Sequence, residues 1–212
     1  MIKVLSVNVG LPKQIVSGEK TVTTGIFKTP VSGQVKVNKL NLDGDAQADL
    51  SVHGGPNKAV YAYPSEHYAF WKSEFPDRAL PWGMFGENLT LDGLLENDAH
   101  IGDHFRIGTA VLMVTQPRTP CYKLGIKFGC EGMMARFLAS GRTGFYFAVA
   151  GEGEIRAGDT AELVEHGRNQ ISISTLLHLY YGPDPLDAAL IQQVLEIDEL
   201  PSGWRKRSLK RL

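Results

Sequence analysis

The chain has 212 residues, of which 43% are hydrophobic and 21% charged, and its formal net charge at pH 7 is −1. These fractions exclude a disordered or fibrous chain, and the near-zero charge argues against a general nucleic acid-binding protein. Two cysteines are too few for a disulfide framework, which favours a reducing compartment. Since no apolar run approaches the roughly 20 residues that span a bilayer, we expect a soluble cytoplasmic protein without a membrane partner.

The first 165 residues are rich in glycine and in short alternating segments that predict β-strands. Turns containing Gly, Asn or Asp separate the segments. Many short strands with frequent turns favour a closed or nearly closed barrel, because closure removes edge strands. The expected fold class is therefore mainly β, a barrel-like domain with a few helices. Strands are predicted at Ile2–Val9, Gly25–Lys28, Gly33–Leu42, Lys58–Tyr63, Phe105–Ile107, Ala110–Val114 and Phe145–Val149.

Helical spacing of apolar side chains predicts two helices within the barrel region, at Pro64–Glu74 and Cys130–Ser140. The second carries an apolar stripe that favours core packing, formed by Met133, Met134, Phe137 and Leu138. The composition changes near Gly167, and three helical patterns follow. These are Ser172–Tyr180, Pro185–Ile197 and Ser202–Leu212. We therefore divide the chain into a barrel domain at residues 1–167 and an accessory three-helix domain at 168–212.

A stiff loop at residues 115–125 carries the thiol of Cys121. The loop follows the predicted strand Ala110–Val114, and its two prolines restrict the backbone. Arg118 lies three residues before Cys121, and a thiol near a fixed positive charge ionises more easily. The resulting thiolate would suit a nucleophile or a metal ligand. A buried free cysteine that packs as a small hydrophobe is the alternative, and the local sequence leaves both open.

Three further stretches carry polar groups that suit an anionic or heterocyclic ligand. In His53-Gly54-Gly55, followed by Lys58, the adjacent glycines would let backbone N–H groups approach an anion. A tight glycine turn with the histidine hydrogen-bonded in the core is the competing interpretation. The amide of Asn88 suits the edge of a heterocycle, and Arg142 suits bidentate phosphate binding. A turn asparagine and an exposed loop arginine are the commoner explanations of these two.

The histidines and cysteines lack the spacing of a zinc site. His100 and His104 are separated by a glycine turn, and Cys121 and Cys130 have no Cys-x-x-Cys partner. Cys121 and His53 would suit a thiol hydrolase dyad, but their positions in the sequence do not determine their distance.

Taken in order, these stretches resemble the MOSC domain, the module related to the C-terminal part of molybdenum cofactor sulfurases. The resemblance covers most of residues 1–165 and rests on an ordered set of short motifs. They are Gly44-Asp45, Asp49-Leu50, His53-Gly54-Gly55, Lys58-Ala59-Val60, Phe85-Gly86-Glu87-Asn88-Leu89, Gly102-Asp103, Gly108, Gln116-Pro117-Arg118, Pro120-Cys121, Gly141-Arg142 and Gly144-Phe145-Tyr146. The three-helix segment resembles the extra domain of the YiiM-like subgroup, which extends the resemblance over nearly the full chain.

The resemblance implies a barrel that holds a pyranopterin molybdenum cofactor, with Cys121 as the thiolate ligand of the molybdenum. A soft ligand on a rigid loop agrees with the properties of the loop itself. Further contacts to the cofactor are implied for His53, Gly54, Gly55, Lys58, Asn88, Arg118, Thr119, Arg142 and Tyr146.

The implied activity is the molybdenum-dependent reduction of N-hydroxylated compounds, such as N-hydroxylaminopurines or amidoximes, to amines. No flavin or nicotinamide fingerprint occurs in the chain, so the electrons would come from an external reductase. The alternative is a sulfur carrier or cofactor-binding module with a persulfide on Cys121. A third class, an interaction module that uses the cationic segment 205–211, has little support, because positive charge at a helix end complements the helix dipole. The oligomeric state is left open.

Overall fold

Strands dominate residues 1–165, and the structure describes residues 1–49, 53–183 and 187–209. The strands in these residues are β1 (Ile2–Val9), β2 (Lys13–Ser17), β3 (Lys20–Thr24), β4 (Thr29–Val31), β5 (Val35–Asn38), β6 (Asn41–Leu42), β7 (Val60–Pro64), β8 (Leu89–Asp92), β9 (His104–Ile107), β10 (Ala110–Pro117), β11 (Phe145–Gly151), β12 (Gly153–Ile155) and β13 (Thr160–Glu165). The coordinates are those of a computed structural model.

Seven strands close into a barrel because the first strand of the chain pairs with the last. Strand β1 runs antiparallel to β13, with Ile2 opposite Ala161. The order around the barrel is β13-β9-β10-β11-β7-β8-β1, and β4 pairs with the other end of β1. Strands β7 and β8 are parallel, whereas the other neighbours are antiparallel. The prediction of a mainly β, barrel-like fold is confirmed.

Two of the predicted strands are wrong, and both errors have a local cause. Residues Gly25–Lys28 form a loop between β3 and β4, not a strand. Gly25 lies so close to the carbonyl of Ala46 that a Cβ atom would sit 2.4 Å from the oxygen. The predicted strand Gly33–Leu42 is a tight hairpin of β5 and β6, in which Val37 lies opposite Leu42. Period-two alternation continues across such a turn, so the pattern does not reveal the reversal.

Three helices pack outside the barrel around a cluster of buried aromatic rings. They are α1 (His67–Glu74), α2 (Tyr122–Phe128) and α3 (Met133–Ala139). The first and third agree with the predicted helices, but α2 was expected to be part of a loop. In α3 the side chains of Met133 and Phe137 are buried, whereas Met134 is exposed. The buried members of this cluster are Tyr61, Tyr63, Tyr68, Trp71, Met84, Phe85, Leu124, Phe128, Met133 and Phe137.

Three C-terminal helices follow the barrel, as predicted: α4 (Ile173–Tyr181), α5 (Ala188–Leu195) and α6 (Ser202–Leu209). Helix α4 begins after Ser172, whose hydroxyl accepts a hydrogen bond from the Thr175 N–H at 3.1 Å, which satisfies an otherwise unpaired donor. The start of the second predicted helix, at Pro185 and Leu186, lies outside the described residues, and so does residue 50 of the Asp49-Leu50 motif. The same holds for residues 210–212 at the end of the third helix.

The barrel and the C-terminal helices share one hydrophobic core, which continues from Val4 in β1 to Trp204 in α6. The ring of Trp204 lies against Tyr180 of α4, with the ring centroids 4.8 Å apart. The division at residues 167 and 168 stays a prediction. Among the described residues no helix is long and apolar enough to cross a membrane.

Candidate active site

The end of strand β10 places Cys121 at the start of helix α2. Pro117 ends the strand, and the backbone of Cys121 is extended, with φ −120° and ψ 167°. Its carbonyl oxygen accepts a hydrogen bond from Leu124 N–H at 2.9 Å, which begins the helix. The change from strand to helix within four residues leaves the thiol half-buried at a bend of the chain.

The surroundings of Cys121 favour the thiolate. Burial alone would raise the pKa of the thiol. A hydrogen bond with the His53 side chain, the charge of Arg118 and the backbone N–H of Lys123 act in the opposite direction and together hold the pKa below its usual value. The structure therefore brings Cys121 and His53 into contact, although they are far apart in the sequence.

Arg118 is a buried cation whose positive charge acts on Cys121. Its side chain is 5% exposed, and its guanidinium carbon lies 5.0 Å from the ring centroids of both Tyr61 and Phe137. The guanidinium also hydrogen-bonds with Tyr146. Nη1 has no hydrogen-bond partner among the described residues. Since a buried donor without a partner costs about 1–3 kcal/mol, this nitrogen points to a ligand.

A cavity of about 100 Å³ adjoins these side chains. None of its described lining residues is Asp or Glu, whereas three lysines and an arginine face it. The cavity is therefore suited to an anion. Its lining comprises Thr24, Gly25, Ile26, Lys28, Ala46, Gln47, Ala48, His53, Lys58, Tyr61, Gly86, Asn88, Arg118, Cys121, Lys123 and Tyr146.

One side of the cavity is built on a buried ion pair between Lys28 and Asp45. Burial lowers the pKa of Lys28, and the neighbouring Asp45 offsets part of that effect. The second carboxylate oxygen of Asp45 accepts a hydrogen bond from the Asn88 amide at 2.9 Å. The side-chain oxygen Oδ1 of Asn88 accepts from the Tyr61 backbone N–H at 3.1 Å. Asn88 thus lines the cavity while its amide joins β7, β8 and the Asp45 loop.

The structure brings six of the ten predicted site residues to the cavity: His53, Lys58, Asn88, Arg118, Cys121 and Tyr146. Gly54, Gly55 and Thr119 instead line a neighbouring cleft against α6, which Lys58 also borders. Arg142 lines neither the cavity nor this cleft. Its guanidinium carbon lies 4.1 Å from the ring centroid of Phe70, and its Nη1 donates to the Ser140 carbonyl oxygen at 3.0 Å.

The position of Arg142 follows from the way its loop packs on the aromatic cluster. The hydroxyl of Tyr63 donates to the Arg142 carbonyl oxygen at 3.1 Å, and that of Tyr61 donates to the Thr143 carbonyl oxygen at 2.8 Å. The backbone of the loop therefore faces the buried tyrosines, and the arginine side chain extends across Phe70.

Sequence reasoning missed Lys28, Tyr61 and Lys123 as lining residues. Lys123 lies two residues after Cys121 and could have been found as a third cation of the same loop. Tyr61 follows the Lys58-Ala59-Val60 motif directly. Lys28 had no local signal, because its place at the cavity depends on Asp45, which lies 17 residues further along the chain.

The described residues contain no cluster of three or more His, Cys, Asp and Glu side chains that could hold a metal ion. A single thiolate beside cations fits a metal that brings its other ligands on an anionic organic group.

Comparison with known proteins places these features in one family. Residues 49–162 match the MOSC domain, and residues 171–212 match the YiiM-like 3-alpha helix domain. YflK of Bacillus subtilis is 43% identical over 98% of this chain and 93% of its own. The crystal structure of YiiM from Geobacillus stearothermophilus superposes with a TM-score of 0.83 and 38% identity, covering 100% of both chains.

A protein of Gibberella moniliformis described as a reductase is 34% identical over 73% of this chain, which corresponds to 28% of its own length. The MOSC match contains the loop of Cys121, and the second match contains all three C-terminal helices. The chain belongs to the MOSC family and, by its C-terminal helices, to the YiiM-like subgroup of that family.

Proposed function

We propose that this protein is a molybdenum cofactor-dependent oxidoreductase that reduces N-hydroxylated compounds, such as N-hydroxylaminopurines and amidoximes, to amines. One observation carries the proposal: among the described residues, an ionisable thiol and a buried arginine whose Nη1 has no hydrogen-bond partner meet in a cavity lined by no carboxylate. Membership of the MOSC family and similarity to a reductase support it. We further propose that the protein works in the cytoplasm with an external reductase as electron donor.

The residues present fit an anionic pyranopterin cofactor. Cys121 would be the thiolate ligand of the metal, as a soft anionic donor whose charge is already favoured by its neighbours. Arg118 would donate from Nη1 to an anionic oxygen, and Lys58 and Lys123 would add positive charge along the cavity. His53 and Tyr146, which line the same cavity, would also contact the group. The bound cofactor would supply the two-electron chemistry.

The protein must also supply protons. Reduction of an N-hydroxyl group consumes two electrons and two protons and releases water, R–NH–OH + 2e⁻ + 2H⁺ → R–NH₂ + H₂O. We assign the protons to His53 and Lys58, which line the cavity. Burial lowers the pKa of Lys58, so its ammonium group is a stronger acid than that of an exposed lysine.

The test is expression in a host that makes the cofactor, followed by elemental analysis and fluorescence detection of the oxidised pterin. We expect one molybdenum and one pterin per chain, together with reduction of an N-hydroxylaminopurine by a chemical reductant. Cys121→Ser should abolish turnover without unfolding the protein. Cys130→Ser is the matched control, because Cys130 does not line the cavity, and it should retain activity. A molybdenum-loaded Cys121→Ala protein that still reduces the substrate would refute the proposed role of Cys121.

A second candidate function is sulfur transfer through a persulfide on Cys121. The half-buried thiol with a lowered pKa favours it, because a thiolate can take sulfur from a persulfide donor. Mass spectrometry of protein incubated with a small-molecule persulfide would show a stable gain of one sulfur atom on Cys121. That gain, with neither molybdenum nor pterin in protein from the competent host, would favour this function over reduction.

A further inference from the structure

Helix α6 contacts the barrel beside the loops that form the Cys121 cavity. Trp204, which is 7% exposed, donates from Nε1 to the side-chain oxygen of Gln116 at 2.7 Å. The two residues are 88 positions apart in the sequence. Gln116 lies on β10, two residues before Arg118. The last helix is thus tied to the strand that leads to Arg118 and Cys121.

The hydrogen bonding continues from Gln116 to the opposite loop. The Gln116 amide nitrogen donates to the Asn57 carbonyl oxygen at 3.0 Å. Asn57 is the middle residue of the short 3₁₀ turn Pro56–Lys58, in which Lys58 N–H donates to the Gly55 carbonyl oxygen at 3.0 Å. Lys58 is the last residue of this turn and His53 lies three residues before it. Since both line the cavity, the position of Asn57 should affect the positions of both.

We propose that Trp204 is a positioning residue of the Cys121 cavity. Through Gln116 it holds the Asn57 carbonyl group and, with it, the turn that places His53 and Lys58. The C-terminal helices would then be part of the architecture of the site. Because this link acts on a turn of the protein itself, it does not depend on which substrate the cavity takes, and the exchange experiment below can contradict it without contradicting the proposed function.

A second contact supports this role of the C-terminal helices from the other side of Arg118. The Ser174 N–H, in the first turn of α4, donates to the backbone carbonyl oxygen of Glu96 at 3.0 Å. The Glu96 carboxylate accepts from the Gly144 N–H at 2.7 Å, and the Gly144 carbonyl oxygen accepts from the Arg118 N–H at 3.1 Å. The C-terminal helices are therefore linked to the Arg118 backbone a second time, through Glu96 and Gly144.

The effect of Trp204 should be partial, because Asn57 has another donor. The Thr115 hydroxyl donates to the same carbonyl oxygen at 2.7 Å. Loss of the link through Gln116 should therefore loosen the turn without releasing it. We expect amide exchange in residues 53–58 to become about tenfold faster, which corresponds to about 1.4 kcal/mol.

The experiment compares hydrogen–deuterium exchange of Trp204→Phe, Gln116→Met and the double variant, all as full-length protein. Both single variants should accelerate exchange in residues 53–58, and the double variant should not exceed Gln116→Met, because that change already removes both hydrogen bonds of the chain. Gln116→Glu keeps an acceptor for Trp204 but removes the donor to Asn57, so it should also accelerate exchange. If Trp204→Phe does not fold, the two Gln116 variants test the second half of the link, and unchanged exchange in residues 53–58 of both would overturn the inference.

Tyr180→Phe is the matched control. The Tyr180 hydroxyl donates to the Trp204 carbonyl oxygen at 2.9 Å, so its loss weakens the helical segment at the same residue without touching Gln116. It should accelerate exchange in α4 and α6 alone. NMR signals of the His53 ring nitrogens provide a second readout, and they should shift in Trp204→Phe but not in Tyr180→Phe, since the His53–Cys121 hydrogen bond depends on the turn.

Unchanged exchange in residues 53–58 of folded Trp204→Phe would overturn the inference. Equal acceleration in Tyr180→Phe would also overturn it, because the effect would then be a general loss of stability. Additive effects in the double variant would show that Trp204 acts by a route other than Gln116, and an unshifted His53 signal would show that the turn does not place that side chain.

Discussion

Two buried cations of the same cavity, Lys28 and Arg118, are stabilised in opposite ways. The ammonium group of Lys28 has a carboxylate partner in Asp45, so its charge is largely compensated within the protein. The guanidinium of Arg118 lies against aromatic rings, and its Nη1 has no partner among the described residues. Aromatic faces attract a cation without using its N–H donors.

The difference indicates that the two cations have different tasks. A compensated pair such as Lys28–Asp45 fixes the shape of the cavity, because its hydrogen bonds join three segments of the chain. The Arg118 guanidinium on its aromatic support has no carboxylate partner among the described residues, and its Nη1 donor is available to a ligand. The cavity thus has a structural side and a binding side, and substitutions on the two sides should have separable effects.

The largest expected effect is on stability, from Asp45→Ala on the structural side. The change leaves Lys28 buried without its partner and removes the acceptor of two further hydrogen bonds. Breaking a buried pair from one side typically costs about 3–5 kcal/mol. Urea unfolding should show a decrease of this size in the free energy of unfolding.

The matched control is Glu162→Ala, which breaks the exposed ion pair with Arg106. That pair should contribute less than about 1 kcal/mol. Equal losses in the two variants would mean that Lys28–Asp45 does not stabilise the cavity more than a surface pair does.

The next effect is on the thiol, from Arg118→Met on the binding side. Methionine fills a similar space between the rings but removes the positive charge that lowers the pKa of Cys121. The pKa should therefore rise, and alkylation of Cys121 at pH 7, followed by peptide mass spectrometry, should slow by about three- to tenfold. Arg118→Lys should restore part of the rate. An unchanged alkylation rate in Arg118→Met would show that the charge of Arg118 does not lower the pKa of Cys121.

Lys127 predicts a pH-dependent effect on stability. It lies on α2, and its ammonium group donates to the carbonyl oxygens of Ile26 and Gly83 at 2.8 and 2.6 Å. Burial, opposed by the charge of Glu87, lowers its pKa to about 8 from 10.5. Between these values the folded protein has lost the proton while the unfolded chain keeps it, so folding becomes more favourable as the pH rises.

The free energy of unfolding of wild type minus that of Lys127→Met should accordingly increase between pH 8 and pH 10, by at most about 1.4 kcal/mol per pH unit. Urea unfolding of both proteins across this range measures the difference. Subtracting the variant removes the contributions of the buried tyrosines, which titrate at higher pH. A difference that stays flat would show that Lys127 titrates at the same pH in the folded and unfolded states.

The smallest effect is expected for Arg142→Ala. This variant tests whether Arg142 contacts the cofactor, as the family resemblance implies, or lies outside the site, as its position in the structure indicates. The guanidinium lies over Phe70 outside the cavity. We expect the alkylation rate of Cys121 to stay unchanged and the free energy of unfolding to fall by no more than about 0.5–1 kcal/mol, since the side chain loses one cation–π contact. Loss of molybdenum and pterin in this variant would show that Arg142 is needed to bind the cofactor.

The candidate site was predictable where its residues are neighbours in the sequence. The proximity of Arg118 and Cys121 and the breaks at Pro117 and Pro120 were sufficient to propose an ionisable thiol. The role of Asn88 was not predictable, because a turn asparagine and a ligand-binding asparagine look alike in sequence. Its amide contacts Asp45 and Tyr61; the pairing of β7 with β8 brings Asn88 to Tyr61, and the loop after β6 brings Asp45 to it.

By itself the sequence determined a mainly β chain with C-terminal helices and a reactive cysteine, because alternation, helical spacing and proline act over a few residues. The tertiary structure decided which charges remain available to a ligand. It pairs Lys28 with Asp45, gives Arg118 Nη1 no partner among the described residues and joins Trp204 to Gln116. Such contacts join residues up to 88 positions apart. They arise from the closure of the barrel and the packing of the helices on it. The local periodicity of the sequence predicts neither.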